Sequence, residues 1–182
     1  MKYFYFVSLG SNIRPTYHVP QMLEHLLAIS PQLDISTIGK TTPAGMLSTE
    51  HYFLNLAVRI QTAHSPEALK KVFNAIEVKL GRDRSDPLSK KKDRPADLDI
   101  LFQLQAGQQE VPLALMPPEP YVRPFVLELM DYLDMNSPIL PTVPIDRVAL
   151  PFHDRQLGKH PQTIAAPTTI SRTSLLQAPL GN

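Results

Sequence analysis

The chain has 182 residues, a formal net charge of +1, 43% hydrophobic and 19% charged residues, and no cysteine. This length suits one domain with a core, with or without a tail, and the balanced charge gives no electrostatic reason to expect nucleic acid or an anionic membrane as a partner. Disulfides and thiolate metal ligands are excluded, and no apolar run approaches the ~20 residues that cross a bilayer. We expect a cytoplasmic protein, and we expect it to act as a monomer.

The first third of the chain predicts three strands and a helix. An apolar run at 3–9, ended by the sequence GSN, is typical of a buried strand that enters a turn. Apolar residues at helical spacing then predict a helix over 17–30. Alternating patterns predict strands over 33–40 and 52–62, and the second would turn Phe53 and Asn55 to the face opposite its aliphatic residues.

The middle of the chain predicts a helix, a loop, a strand and a further helix. Ser65 suits a helix N-cap, Pro66 the first helical position and Gly81 the C-terminal stop. A polar stretch follows over 82–93. The sequence RPADLDILF then predicts a buried strand on which Leu98, Ile100 and Phe102 alternate, and Pro124 opens a third helix that contains Phe125.

The order of these elements is β-α-β-β-α-β, which predicts an α+β, ferredoxin-like sandwich with an antiparallel sheet and helices. Twelve of the 19 prolines lie between Pro112 and Pro179, so the chain changes character near residue 112. We expect one domain over 1–149 and a Pro-rich C-terminal extension or tail over 150–182.

Two carboxylates on the RPADLDILF strand carry the first chemical signal. Asp97 and Asp99 are two residues apart, so both side chains point to one face. Such a pair is a common way to hold Mg²⁺, although for an isolated D-x-D a solvated face with surface salt bridges is the alternative. Arg82, Arg84 and Arg94 precede this strand, and guanidinium groups match phosphate oxygens. Carboxylates beside arginines favour phosphoryl-type transfer.

Several motifs occur together in one order along residues 1–135. They are GSN (10–12), TTP (41–43), YFLNLAV (52–58), IEVKLGRDR (76–84), RPADLDILF (94–102) and RPFVL (123–127). With these motifs the chain resembles the 6-hydroxymethyl-7,8-dihydropterin pyrophosphokinase family of the folate pathway. The resemblance implies the transfer of a pyrophosphoryl group from ATP, as co-substrate, to a pterin hydroxymethyl group, with two Mg²⁺ ions held by Asp97 and Asp99.

The resemblance also implies roles for individual residues. Phe53 and Phe125 would sandwich the pterin, and Asn55 would hydrogen-bond its edge with the loop backbone at Thr42, Pro43 and Gly45. Arg82 and Arg94 would assist the phosphates during transfer. The nucleotide side would comprise Asn74, Glu77, Arg84, Ile100 and Arg123, and the stretch 82–93 would close over the substrates.

The sequence departs from the family pattern on the nucleotide side. The family generally carries R-W-G-P-R in the closing loop, where this chain has SDPLSKKKDR, and Pro117 stands where the family has a phosphate-contacting histidine. Three functions therefore remain open. They are a working pyrophosphokinase, in which Lys90, Lys91 and Lys92 supply phosphate charge; a homologue that binds pterin without efficient transfer; and a ferredoxin-like RNA-binding module, which lacks the expected motif and basic charge.

Overall fold

The computed structural model describes residues 1–42 and 51–166. In chain order its elements are β1 (Tyr3–Ser11), α1 (Pro15–Leu27), β2 (Gln32–Ile35), β3 (Gly39–Thr41), β4 (Phe53–Thr62), α2 (Pro66–Lys79), β5 (Asp97–Leu104), α3 (Arg123–Tyr132), β6 (Asp146–Arg147), β7 (Leu150–Phe152), β8 (Arg155–Leu157) and β9 (Gln162–Ala165). Short 3₁₀ turns lie at Ser89–Lys91 and Leu113–Leu115.

The main sheet is antiparallel and has the order β5-β1-β4-β2-β9. The third strand, β3, pairs with the other half of β4 and carries β6 on its outer edge. Since α1 connects β1 to β2 and α2 connects β4 to β5, the four strands β5, β1, β4 and β2 have the ferredoxin-like arrangement. The fold predicted from the sequence is confirmed.

The predicted helix signals are present at α2. The Ser65 side chain accepts a hydrogen bond from the Ala68 amide at 3.3 Å, which caps the first turn. At the other end Gly81 has a φ of 101°, the left-handed conformation that ends a helix and that glycine adopts without strain. The helix therefore begins and ends where its sequence specifies.

Two hydrophobic cores lie on opposite faces of the sheet. The first is formed by α1, α2 and the aliphatic face of β4, with Met22, Leu56 and Phe73 at its centre. The second lies under α3 and the Pro-rich segment, and it includes Phe6 and Phe125. The sheet is thus covered by helices on both faces, and the open end of the second face is the place where a site can form.

A β-bulge makes β5 change face along its length. The pairing of β1 with β5 shifts between Phe6 and Val7, so that Leu101 is the extra residue. Leu98 and Ile100 consequently pack with the first core, whereas Phe102 packs in the second and stacks on Phe6 at 4.8 Å. The expectation that these three residues of β5 share one face was therefore wrong at Phe102.

The predicted strand over 33–40 is interrupted. Ser36 and Thr37 are buried and separate β2 from β3. The Thr37 amide and hydroxyl both donate to Glu128 Oε2 of α3, at 3.0 and 2.5 Å, and the Ala57 amide donates to Ser36 Oγ at 2.9 Å. These side chains provide hydrogen-bond partners for backbone N–H groups where the strand pairing is interrupted, so the strand can bend there. The bonds to Glu128 also hold α3 against the sheet.

Residues 150–166 form part of this fold. The β7–β8 hairpin places Leu150 and Leu157 in the first core, and β9 adds an edge strand next to β2 with Ile164 buried. In its described part, the Pro-rich extension therefore packs against the domain, and the boundary at residue 149 stays a prediction. No helix in the described ranges has the length and apolar character to span a membrane.

Candidate active site

A flat floor crosses four strands on the second face of the sheet. Antiparallel pairing aligns Gly39, Asn55, Gly10 and Asp97 in one row across β3, β4, β1 and β5. A Cβ at Gly10 would lie 2.7 Å from Asn55 Oδ1, so only glycine lets the amide lie across the strand. The Asn55 Nδ2 donates to Thr41 Oγ1 at 2.6 Å. This arrangement presents a fixed amide edge above a surface with few side chains.

The two predicted aromatic residues lie at different depths beside this floor. Phe53 lines the cleft above the floor, and the Arg94 guanidinium lies 5.2 Å from its ring centre. Phe125, which is 2% exposed, packs edge-on against Gly39, where a Cβ would meet the ring at 2.8 Å. The structure thus brings both aromatic side chains to the Asn55 end of the floor.

The predicted arginines converge on Asp97. Arg82 is 6% exposed, and its Nη1 lies 2.6 Å from Asp97 Oδ1 and 3.2 Å from Glu77 Oε1. Arg94 Nε lies 3.1 Å from Asp97 Oδ2, and its Nη1 donates to the Lys90 carbonyl at 2.6 Å. Both oxygens of Asp97 therefore face guanidinium groups, and these two contacts fix the orientation of the carboxylate.

Asp99 is in the opposite situation. It lies two residues along from Asp97 on the same face, opposite Ser8, and its carboxylate receives no hydrogen bond or ion pair from the described residues. Desolvation in the cleft, followed by repulsion from Asp97, raises the pKa of the Asp99 carboxyl above its ordinary value, although Arg82 and Arg94 act in the other direction. An incompletely neutralised carboxylate pair is an environment that attracts a cation.

Glu77 anchors this cluster from behind. It is 1% exposed on α2, accepts the Leu98 amide at 2.8 Å, and pairs with both Arg82 and Arg84. The contacts from the Leu98 amide and the two guanidinium groups offset the cost of burying this carboxylate. Helix α2 is thereby joined to β5 directly beneath the aspartates.

Two clefts meet at the aspartates. The first has a volume of about 500 Å³, and its lining includes the floor, Thr42, Phe53 and Asn55. The second, of about 1060 Å³, is strongly basic and lies between α2 and the segment over 82–93. Four residues line both clefts, namely Arg94, Asp97, Asp99 and Tyr121. Groups bound in the two clefts would therefore meet at the carboxylate pair.

The residues predicted for the nucleotide side divide into two groups. Asn74, Arg84 and Ile100 line the second cleft, as does Lys90 of the lysine run. Glu77 lies behind the cleft wall, and Arg123 Nε donates to the Pro117 carbonyl at 2.8 Å. Pro43 and Gly45, predicted for the loop beside the first cleft, lie outside the described residues.

Sequence reasoning assigned no role to several residues of the site. Tyr121 lines both clefts, but it lies in a Pro-rich segment between Pro117 and Arg123 and its position gives no periodic signal. The pKa of its phenol is raised by burial and by Glu119, so the hydroxyl stays protonated and can donate. Gly10 was part of a quoted motif, but its function as the floor could be recognised only from the strand pairing.

The donor set fits magnesium. Two hard carboxylate oxygen ligands, on one face of a rigid strand, suit an ion that takes one or two carboxylates and completes its shell with water and phosphate oxygens. No group of three or more His, Asp or Glu side chains arranged for a metal occurs in the described part of the chain. The fit is supported by Asp99, which lies beside Asp97 and whose carboxylate has no hydrogen-bond or ion-pair partner in the described ranges.

Comparison with known proteins identifies the family. The model of the 7,8-dihydro-6-hydroxymethylpterin-pyrophosphokinase (HPPK) family matches residues 6–134. The 2-amino-4-hydroxy-6-hydroxymethyldihydropteridine pyrophosphokinase of Bacillus subtilis is 36% identical over 125 residues, 67% of this chain and 72% of that protein. The enzyme of the same name from Porphyromonas gingivalis is 30% identical over 141 residues, 75% and 95% of the two chains. The bifunctional protein FolKE of Lactococcus lactis is 28% identical over 126 residues, 68% of this chain and 35% of that protein. With the fold and these matches in agreement, the chain belongs to the 7,8-dihydro-6-hydroxymethylpterin pyrophosphokinase family.

Proposed function

We propose that this protein transfers the pyrophosphoryl group of ATP to the hydroxymethyl group of 6-hydroxymethyl-7,8-dihydropterin, with the reaction centred on Asp97 and Asp99. The observation that supports it most directly is that a small cleft with a flat floor and a large basic cleft share these two carboxylates. The pterin oxygen would attack the β-phosphorus, AMP would leave, and the hydroxyl proton would be released. No covalent enzyme intermediate is required.

The first cleft has the properties that a pterin needs. Its glycine floor accepts a planar ring, and Phe53 offers an aromatic face once Arg94 moves aside. Asn55 and the Thr42 backbone provide donors and acceptors for the amide edge of the ring. Phe125, now packed on Gly39, would contact the opposite face. Together these residues would orient the hydroxymethyl group toward the carboxylates.

The second cleft has the charge that a triphosphate needs. Arg84, Lys70 and Lys90 line it together with Arg94, while Asn74 and Ile100 form part of its wall. Mg²⁺ held by Asp97 and Asp99, two ions by our proposal, would neutralise the phosphate charge as it develops. Arg82 keeps Asp97 in position from beneath, so its contribution to transfer would be made through that carboxylate. Catalysis would rest on positioning and electrostatics.

The experiment combines a product assay with calorimetry. Purified protein with MgATP and the pterin should form AMP and the pterin pyrophosphate, and Asp97→Asn should lower kcat by at least about 100-fold. The pterin affinity of the variant should change little, because Asp97 lies at the edge of the first cleft. Asp131→Asn, an exposed carboxylate on α3, is the matched control and should behave as wild type.

The outcomes separate the remaining alternatives. Pterin binding without AMP formation in the wild type would favour a homologue that has lost transfer. Binding of neither substrate, with RNA retained on purification, would favour the RNA-binding function. Turnover that is unchanged in Asp97→Asn would contradict the assignment of Asp97 to the metal.

A further inference from the structure

Asn12 forms an unusually complete contact with the segment that precedes β5. It follows the last residue of β1 and is 2% exposed. Its backbone N–H donates to the Arg94 carbonyl at 3.1 Å, and its side-chain Oδ1 accepts a hydrogen bond from the Arg94 backbone N–H at 2.7 Å. Its Nδ2 donates to Asp93 Oδ1 at 2.7 Å. One asparagine thus binds the backbone of Arg94 on both sides and the side chain of the preceding residue.

This contact fixes the position of the Arg94 backbone, from which the side chain extends. From its held backbone, the Arg94 guanidinium reaches Asp97, lies over the ring of Phe53 and lines both clefts. Asp93, the last residue of the segment over 82–93, also meets His51 Nδ1 at 3.1 Å. A shift of the Arg94 backbone would therefore displace the Arg94 guanidinium, which lies between the two substrate clefts.

A side-chain amide is required at position 12 because one of its atoms must accept a hydrogen bond while the other donates one. Oδ1 must accept from a backbone N–H while Nδ2 donates to a carboxylate, and only an amide offers both at this length. Aspartate would accept from Arg94 but would place its second oxygen against Asp93. Alanine would leave a buried N–H of Arg94 without a partner.

We propose that Asn12 is a positioning residue for pyrophosphoryl transfer, which holds the backbone of Arg94 so that its guanidinium lies between the two substrate clefts. The inference rests on the proposed function for its kinetic consequence. Asn12 itself touches neither cleft, so its substitution should lower kcat while leaving the KM for the pterin nearly unchanged.

The kinetic test is a double-mutant cycle. Asn12→Ala should lower kcat by about 10- to 100-fold, because a small displacement of a positioned group costs that much. In an Arg94→Ala background the same change should cost less than about twofold, because the group that it positions is gone. Equal losses in the two backgrounds would overturn the proposal. Ser11→Ala is the matched control for local damage, because the Ser11 hydroxyl donates to the Ile13 carbonyl at 3.2 Å and makes no hydrogen bond to Arg94.

A rescue variant and a measurement independent of turnover complete the test. Asn12→Asp should be impaired by repulsion from Asp93, and Asn12→Asp combined with Asp93→Asn should recover, since the donor and acceptor are then exchanged. Hydrogen exchange of the Arg94 amide should be at least about 10-fold faster in Asn12→Ala.

The readouts distinguish the two proposals. A wild-type protein that forms no AMP overturns the proposed function, and amide exchange and its rescue still decide whether Asn12 holds Arg94. Unchanged exchange in Asn12→Ala overturns the role of Asn12 even when the wild type is active. Faster exchange with an unchanged kcat overturns it as well.

Discussion

At the scale of single residues, the proposed metal-binding role of Asp99 has a cost in the stability of the metal-free protein. The Asp99 carboxylate lies beside Asp97 without a hydrogen-bond donor among the residues that the structure describes, and burial and repulsion from Asp97 raise its pKa. Residues that serve a ligand commonly lower the stability of the free protein in this way. We therefore expect the carboxylate that would bind magnesium to lower the stability of the protein when no cation is bound.

Asp99→Asn should make the metal-free protein more stable while reducing turnover. In EDTA at pH 7 we expect Tm to rise by about 2 °C, because the repulsion from Asp97 is removed. A carboxyl with a raised native pKa destabilises the fold only where it is ionised. The gain should therefore disappear as the pH falls through the raised pKa and Asp99 in the wild type becomes protonated. Thermal melts of both proteins from pH 7 to pH 3 measure this, and a gain that persists at the lowest pH would contradict it.

The sequence predicted some of these residues well and others only by resemblance. Asp97 and Asp99 share a face because side chains alternate along any strand, so their spacing was sufficient. The pairing of Arg82 with Asp97 and Glu77 depends on how α2 packs against β5, which no local pattern contains. Tyr121 lies in a Pro-rich turn without periodicity, so nothing in the sequence marked it.

At the scale of elements, α2 and β5 are joined by one buried carboxylate. Glu77 receives the Leu98 amide of β5 and pairs with two arginines that follow the helix. Removing one partner from a buried ionic cluster is strongly destabilising, since the remaining charges stay buried without compensation. Arg82 also links Glu77 to Asp97, so the same cluster connects the helix to the site.

Glu77→Ala should consequently destabilise the protein by about 3–5 kcal/mol and should also lower kcat. Glu67→Ala is the matched control, because Glu67 is an exposed carboxylate in the first turn of the same helix and should cost no more than about 1 kcal/mol. Urea denaturation of the two variants gives both values. Equal small losses would show that the buried cluster contributes little.

The bulge in β5 shows where element-level prediction stops. A strict period of two placed Leu98, Ile100 and Phe102 on one face, whereas the extra residue Leu101 transfers the second half of the strand to the other core. This change of face lets one strand carry carboxylates toward the site at its start and an aromatic ring toward α3 at its end. Bulges have no reliable sequence signal, because both halves keep their alternation.

At the scale of the whole molecule, the two faces of the sheet are covered by segments of different sequence character. Periodic helices cover the first face, and their apolar stripes made that core predictable. A single short helix and a Pro-rich segment cover the second, and the C-terminal strand β9 extends the sheet. Short strands separated by prolines resemble a tail in composition, so the sequence could not show that residues 150–166 complete the fold.

Ile164 tests whether this C-terminal strand is part of the stable domain. Its side chain is 2% exposed and packs in the first core, opposite Leu33 on β2. Ile164→Ala should destabilise the protein by about 2–4 kcal/mol, whereas Ala165→Ser, at an exposed position of the same strand, should have little effect. Denaturant unfolding measures both. If Ile164→Ala left the midpoint unchanged, β9 would not contribute to stability, since burial in a shared core couples a strand to global unfolding.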